Sequence, residues 1–307
     1  MTVRVGVIGV GYLGRHHARI YSELADVDLV GVADIDGTAA EETAQKYGCA
    51  ASLDYRELVP RCDALSIATP TSTHHDVAVY CLREGKDILV EKPITAVLEE
   101  ANDILEEAGR TGLLLQVGHL ERYNPAVAAL SEMVGDPLFV ECERLSPFLG
   151  RGTDVDVTLD LMIHDVDIVM SMVRSEVKDI RATGGSIATP NIDVAEAWLE
   201  FENGCTAVLA ASRLEQEKRR ALRVFQADSY ISLDYQNQRI VRYGKNGGGT
   251  PGVIEPAGRE PLKEELKDFI RCLKTGERPR VSGDDAVRAL RTVLDISKAI
   301  RAGLRMG

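Results

Sequence analysis

Val3-Arg4-Val5-Gly6-Val7-Ile8-Gly9-Val10-Gly11-Tyr12-Leu13-Gly14 decides the fold. Val3–Ile8 is a short apolar run rich in β-branched residues and predicts a buried strand; the amphipathic stretch from Tyr12 to Leu24 predicts a helix. Between them stand Gly9, Gly11 and Gly14, a G-x-G-x-x-G spacing. In that context the first glycine permits the tight turn, the second lets the backbone approach a pyrophosphate, and the third allows close helix–strand packing. The helix N-terminus, with its unpaired N–H groups at Tyr12 and Leu13, favours the negative charge of a dinucleotide. Asp34 ends the next predicted strand, 20 residues after Gly14, where a carboxylate accepts hydrogen bonds from ribose hydroxyls and repels a 2′-phosphate. Its neighbours Ile35 and Asp36 supply no arginine for such a phosphate. The expected cofactor is NAD rather than NADP.

Outward from this stretch the alternation continues. Asp28–Ala33, Ala64–Ala68, Asp87–Val90 and Leu113–Val117 predict strands, and Thr38–Tyr47, Asp76–Glu84 and Leu98–Arg110 predict helices. Strands alternating with helices imply a doubly wound, parallel sheet of the Rossmann kind. Beyond residue 120 the pattern changes to alternating strands (Ala195–Phe201, Thr206–Ala211, Arg220–Ala227, Tyr230–Asp234), a flexible loop or hairpin connection over Lys245–Gly258 containing Gly247–Gly249, and a closing helix over Asp284–Ala302. The predicted fold is α/β, a Rossmann domain over 1–119 followed by an α+β domain over 120–307 with a large, mostly antiparallel sheet.

Composition narrows the function. With 36 Lys and Arg against 48 Asp and Glu, the formal charge of −12 gives no general attraction for nucleic acid or an anionic membrane. The six cysteines (Cys49, Cys62, Cys81, Cys142, Cys205, Cys272) contain no C-x-x-C pair and read as thiols of a reduced cytosol. The tandem pairs His16–His17 and His74–His75 lack zinc-ligand spacing, so no metal is expected. No apolar run reaches membrane-spanning length, and the N-terminus enters a strand without signal-peptide character. A cytoplasmic protein is expected.

A second group of residues lies where open α/β sheets collect ligands, at the carboxyl ends of strands. Thr69 and Pro70, then His74, follow one predicted strand, and Glu91-Lys92-Pro93 ends the next. With GVIGVGYLGRHHARIY, ATPTSTHHDVAVYCLREGKDILVEKPIT and DLMIHDVDI in place, the sequence resembles the Gfo/Idh/MocA oxidoreductases across essentially its whole length. The resemblance implies that Thr69, Pro70, His74, Glu91 and Lys92 join Gly9, Gly11, Tyr12, Leu13, Gly14 and Asp34 at the cofactor. It also implies an oligomerisation role for the second domain, and hence a homo-dimer or tetramer.

The same resemblance assigns catalysis to Lys92, Asp160 and His164. Asp160 and His164 are four residues apart, on one helix face among Leu159, Met162, Ile163, Val166 and Val169. Oxidising a secondary alcohol requires a base for the hydroxyl proton, and an imidazole with an ordinary pKa near 6.5 suits that task. A lysine ammonium stabilises the developing alkoxide, and the aspartate orients the imidazole or holds a sugar hydroxyl.

Arg122-Tyr123-Asn124-Pro125 resembles family members that act on UDP-linked amino sugars, UDP-N-acetylglucosamine 3-dehydrogenases among them. It reads equally as a helix cap with proline in the first turn. A diphosphate needs local positive charge; Arg213, Lys218, Arg219, Arg220 and Arg223 outnumber Glu215 and Glu217, and Arg144 and Arg151 add candidates. The expected substrate contacts are Arg122, Tyr123, Asn124, Arg151 and Arg213. By resemblance, a sugar aminotransferase making a 3-amino sugar for lipid A would consume the product. Two other readings stand beside this one: a dehydrogenase of a free sugar, inositol or another polyol, and a catalytically inactive NAD-binding sensor or regulator. Lys92, Asp160 and His164 together weigh against the last.

Overall fold

The computed structural model describes residues 2–148, 150, 153, 155–245, 250–256 and 258–304. In chain order the first elements are β1 (Val3–Ile8), α1 (Tyr12–Glu23), β2 (Val27–Ala33), α2 (Gly37–Tyr47), β3 (Ala50–Ser52), α3 (Tyr55–Leu58), β4 (Ala64–Ile67), α4 (His74–Arg83), β5 (Asp87–Glu91), α5 (Leu98–Thr111) and β6 (Leu115–Gly118). Then come α6 (Pro125–Met133), β7 (Pro137–Leu145), α7 (Ile163–Val173), β8 (Val177–Gly185), β9 (Val194–Phe201), β10 (Thr206–Ser212), β11 (Arg219–Gln226), β12 (Ser229–Asp234), β13 (Arg239–Gly244) and β14 (Gly252–Ile254). The chain closes with α8 (Pro261–Thr275) and α9 (Gly283–Leu304).

The chain divides into two units. One comprises Met1–Leu120 with Glu260–Val287, the other Glu121–Arg259 with Arg288–Gly307. The first unit holds a six-stranded sheet in the order β3-β2-β1-β4-β5-β6. Its pairings are all parallel, which is the Rossmann arrangement. Strands covered on both faces read as continuous apolar runs, and Ala64–Ile67 is buried at every position.

The boundary expected at 119/120 assigns residues 260–287 to the second domain; in the structure this segment packs with the first unit. The reason is α8, whose amphipathic face sets Leu262, Leu266, Phe269 and Ile270 into the core cluster with Val3, Val5, Leu29 and Val32.

The second unit is built on an eight-stranded sheet, β14-β13-β12-β11-β7-β10-β9-β8, antiparallel except for the β7–β10 pair. Helix α7 supplies Ile163, Val166, Ile168, Val169 and Val173 to the core of this unit. An aromatic row crosses the sheet from Trp198 through Phe139, Phe225 and Tyr230 to Tyr243, with ring centroids 4.9 to 6.1 Å apart. Trp198 and Tyr243 remain 43% and 42% exposed. Strand β14 falls inside the segment expected to be a loop or hairpin connection and pairs antiparallel with β13, and Gly247–Gly249 lies outside the described residues. Among the described residues no helix is long and apolar enough to cross a membrane, and no cluster of His, Cys, Asp or Glu is arranged to hold a metal ion.

Candidate active site

In the first unit a cavity of about 590 Å³ opens at the carboxyl ends of β1, β2 and β4, lined among others by Gly9, Gly11, Asp34, Thr69 and Pro70. Gly9 has φ +86°, and a Cβ there would stand 2.7 Å from the Ala68 carbonyl oxygen. A Cβ on Gly14 would lie 1.8 Å from the Gly9 oxygen, so α1 can approach β1 this closely only with glycine. At Gly11 a Cβ would meet nothing within 4 Å, so this backbone faces open space. The Gly11 cap makes no side-chain hydrogen bond and the first turn of α1 carries no acid. Its N–H groups are thus left for an anion.

The Asp34 carboxylate is oriented by its neighbours. Oδ2 accepts the Val10 N–H at 2.7 Å and Oδ1 the Asp36 N–H at 2.9 Å. The fixed turn, the open backbone at Gly11, the uncapped helix and the oriented carboxylate fit a dinucleotide with a free ribose 2′-hydroxyl.

The other residues expected at the cofactor are placed as follows. Tyr12 is exposed and its ring meets His16 edge to face; Leu13 follows in the same turn. His74 is buried and is not part of the cavity wall. Its Nε2 bonds the Thr69 carbonyl at 2.9 Å and its Nδ1 the Pro93 carbonyl at 3.0 Å, tying the loop after β4 to the segment after Lys92. Glu91, also buried, accepts the Lys92 N–H on Oε2 at 3.2 Å, while Oε1 meets Nε2 of His17 at 3.0 Å. The other nitrogen of His17 lies 2.7 Å from the Ser66 hydroxyl. Sequence reasoning missed His17 because it weighed the tandem histidines only for metal spacing. A signal was present: Gly14, His17, Ala18 and Tyr21 form the buried stripe of α1.

In the second unit Asp160 lies in a wide π-type turn, Thr158–Met162, that leads into α7, and His164 is the second residue of α7. The expected α-helix is therefore widened by a π turn at Asp160, a device that recurs at functional sites. The next two acids on α7 are buried and clamped. Asp165 receives a bidentate pair from Arg144 at 2.9 and 2.7 Å, and Asp167 is bonded by Arg122 at 3.2 Å. Arg144 also reaches Glu121 at 3.1 Å, and Arg220 reaches the same oxygen at 3.3 Å. Burial opposes charge on Arg144, but Asp165 and then Glu121 outweigh it and hold the guanidinium above its ordinary pKa. Burial likewise opposes charge on Glu121, and Arg144 and Arg220 outweigh it, holding the carboxyl below its usual range.

These pairings change the reading of the basic residues. Arg144 is fully buried on carboxylates rather than presented to a diphosphate. Arg219 pairs with Glu143 and Arg223 with Glu141 and Glu143, so acids on β7 offset the basic run of β11. Arg213 is buried, donating to the Val155 carbonyl at 2.8 Å beside Asp193. Asn124 caps α6 by accepting the Ala126 N–H at 3.0 Å ahead of Pro125, which is the structural alternative weighed for that segment. Tyr123 is buried. Arg151 lies outside the described residues.

Comparison with known proteins places the whole chain among relatives of one family. Residues 3–119 match the oxidoreductase family with the NAD-binding Rossmann fold, Gfo/Idh/MocA, and residues 131–241 match a C-terminal domain of the same family. UDP-N-acetylglucosamine 3-dehydrogenase of Acidithiobacillus ferrooxidans is 37% identical, over 99% of either chain. Its solved structure superposes with a TM-score of 0.94, covering 98% of this chain and 99% of that one. The scyllo-inositol 2-dehydrogenase (NAD(+)) of Bacillus subtilis is 28% identical over 98% of this chain and 95% of its own.

Proposed function

The chain belongs to the Gfo/Idh/MocA family of NAD-binding oxidoreductases, and from that premise we propose that it oxidises the 3-hydroxyl of UDP-N-acetylglucosamine to the 3-keto sugar. The observation that carries this reading is the end-to-end similarity to a dehydrogenase of that nucleotide sugar, at 37% identity over 99% of the chain. Gly9, Gly11, Gly14 and the N–H groups opening α1 would hold the pyrophosphate of NAD, and Asp34 its ribose. When bound, NAD supplies a hydride acceptor.

The protein's own contribution is proton handling and charge stabilisation. His164 takes the hydroxyl proton, and the Lys92 ammonium donates a hydrogen bond to the oxygen as charge develops on it. Asp160 orients the imidazole. The Arg144–Asp165 pair anchors α7 so that His164 keeps its place. Substrate contacts come from the Arg122–Asn124 segment, with Arg151 and Arg213 the remaining candidates.

The aromatic row on the second unit's sheet, with Trp198 and Tyr243 partly exposed, supports a homo-oligomer through that face. The protein would work in the cytoplasm. Because oxidation of an alcohol by NAD is uphill near neutral pH, a sugar aminotransferase would draw off the keto product toward a 3-amino sugar for lipid A. The test is incubation with UDP-N-acetylglucosamine, NAD and such an aminotransferase with its amino donor, followed by mass spectrometry. A 3-keto or 3-amino product is expected. No such product, alongside ready oxidation of inositol or another free polyol, would overturn the substrate assignment.

A further inference from the structure

His17 stands inside the core of the first unit, fully buried on α1, and both ring nitrogens are engaged. Packing alone does not call for it there. An imidazole–carboxylate pair loses its hydration on burial, and apolar residues of similar volume stabilise a core at least as well. The surroundings are built around the pair. Gly118, paired with Glu91 across β5 and β6, leaves the carboxylate its room, since a Cβ there would lie 2.9 Å from Oε2.

Polar groups reach the pair from α1, β4, α8 and β6. Beside His17 on α1, the buried Tyr21 phenol faces Ser66 of β4, with Glu265 and Glu91 near; burial chiefly, then those acids, raises its pKa. From α8, Glu265 is wholly buried, and burial first and Glu91 second push its carboxyl well above its ordinary value. From β6, the Gln116 side chain is tied to the Glu265 carbonyl at 3.2 Å. The Glu91 carboxylate thus bonds His17 on α1 through one oxygen and accepts the Lys92 N–H through the other.

We propose that His17 is a positioning residue for Lys92: it fixes one oxygen of Glu91, which turns the other to the Lys92 N–H and sets where the lysine side chain leaves the end of β5. The carboxylate only accepts, so Nε2 carries the proton of that bond. The Ser66 hydroxyl, able to donate or accept, holds the opposite side of the ring. The inference rests on the assignment of Lys92 to catalysis made above.

A double-mutant cycle on the NAD-bound enzyme tests it, using whichever of UDP-N-acetylglucosamine or inositol the wild type oxidises. H17L is expected to lower kcat about ten- to a hundredfold, the scale on which misplacing a catalytic group acts, with KM for the sugar and Kd for NAD changed less than about twofold. H17Q, whose amide N–H can replace Nε2, recovers most of the rate. In a K92M background H17L costs nothing further, because residues that act through one another do not add. Losses that multiply in H17L/K92M, or a loss carried by the NAD Kd, overturn the proposal. A K92M enzyme with ordinary turnover instead removes Lys92 from catalysis, and with it the premise. If H17L does not fold, S66A replaces it: the bond to Glu91 stays but the ring loses its second hold, so a smaller kcat loss that vanishes in K92M is expected, and a loss that multiplies there overturns the proposal.

Discussion

In the first unit the residues assigned to the cofactor are placed by backbone geometry. Gly9 and Gly14 let α1 close on β1, and Asp34 is oriented by two main-chain N–H groups. In the second unit the helix bearing His164 is placed by buried charge, with Arg144 spanning Asp165 and Glu121 beneath it. The two devices fail differently. A crowded glycine turn deforms the binding surface, whereas an ion pair that loses one partner leaves a desolvated charge and threatens the fold. Chemistry assigned to both units should therefore respond to substitution at either, while stability should respond mainly in the second.

The largest effect is expected where the two units would contribute equally to the reaction. Lys92→Met and His164→Ala should each lower turnover about 10²–10⁴-fold, the usual worth of a general acid–base group. Thermal melting and NAD titration of the same variants should stay near wild type. Ordinary turnover in either folded variant would strike that residue from the mechanism and leave the chemistry to a single unit.

Arg144→Met addresses the ion pair directly. It leaves Asp165 buried without its guanidinium, while Glu121 keeps Arg220, and the loss of one partner of a buried pair costs about 3–5 kcal/mol. Urea unfolding should register that loss, and adding Asp165→Leu should return part of it by removing the stranded carboxylate. A cost below about 1 kcal/mol for Arg144→Met would show that the helix is held by its apolar contacts alone.

The same contrast decides what could be read in the sequence. The glycine turn and Asp34 were legible because their geometry is written in neighbouring residues, where a missing side chain or a fixed spacing shows at once. Arg144 was read as spare positive charge because its partners lie 21 and 23 residues away in the sequence and only the fold brings them together. Helix α8 was not foreseen, since the strands it covers begin at Val3, some 250 residues earlier. The π-type turn at Asp160 leaves no mark in a pattern of apolar spacing, and His17 revealed itself only as a polar residue on an apolar stripe.

A smaller effect is expected from Asp193, which sits in the second unit but is held by backbone, as Asp34 is. Burial works against its charge. The N–H groups of Ile187, Ala188 and Thr189 and the Thr189 hydroxyl outweigh this and lower its pKa to about 2. A carboxyl depressed from its ordinary value near 3.8 stabilises the fold above pH 4 and loses that contribution as the pH falls toward 2. At 1.36 kcal/mol per unit this is about 2 kcal/mol. The stability difference between wild type and Asp193→Asn, followed by urea unfolding, should be constant above pH 5 and shrink between pH 4 and pH 2. A difference independent of pH would mean that the loop over 187–189 is held by its shape and not by the charge.

The smallest effect falls on cofactor choice, where the first unit's device can be altered by one atom. Asp34→Asn keeps an acceptor for one of the two N–H groups that orient it and removes the negative charge assigned to the ribose. The variant should fold as the wild type does, because Asp34 is half-buried and its turn is set by Gly9. NAD affinity should fall about tenfold, roughly 1.4 kcal/mol, the worth of a charge-assisted hydrogen bond to a ribose hydroxyl. NADP affinity should rise, since the repulsion of a 2′-phosphate by the carboxylate is gone, although no arginine follows at Ile35 or Asp36 to hold that phosphate. Titrating both cofactors against wild type and variant separates the two contributions. Equal binding of NAD and NADP by the wild type would show that Asp34 does not face the ribose, whatever its orientation by Val10 and Asp36.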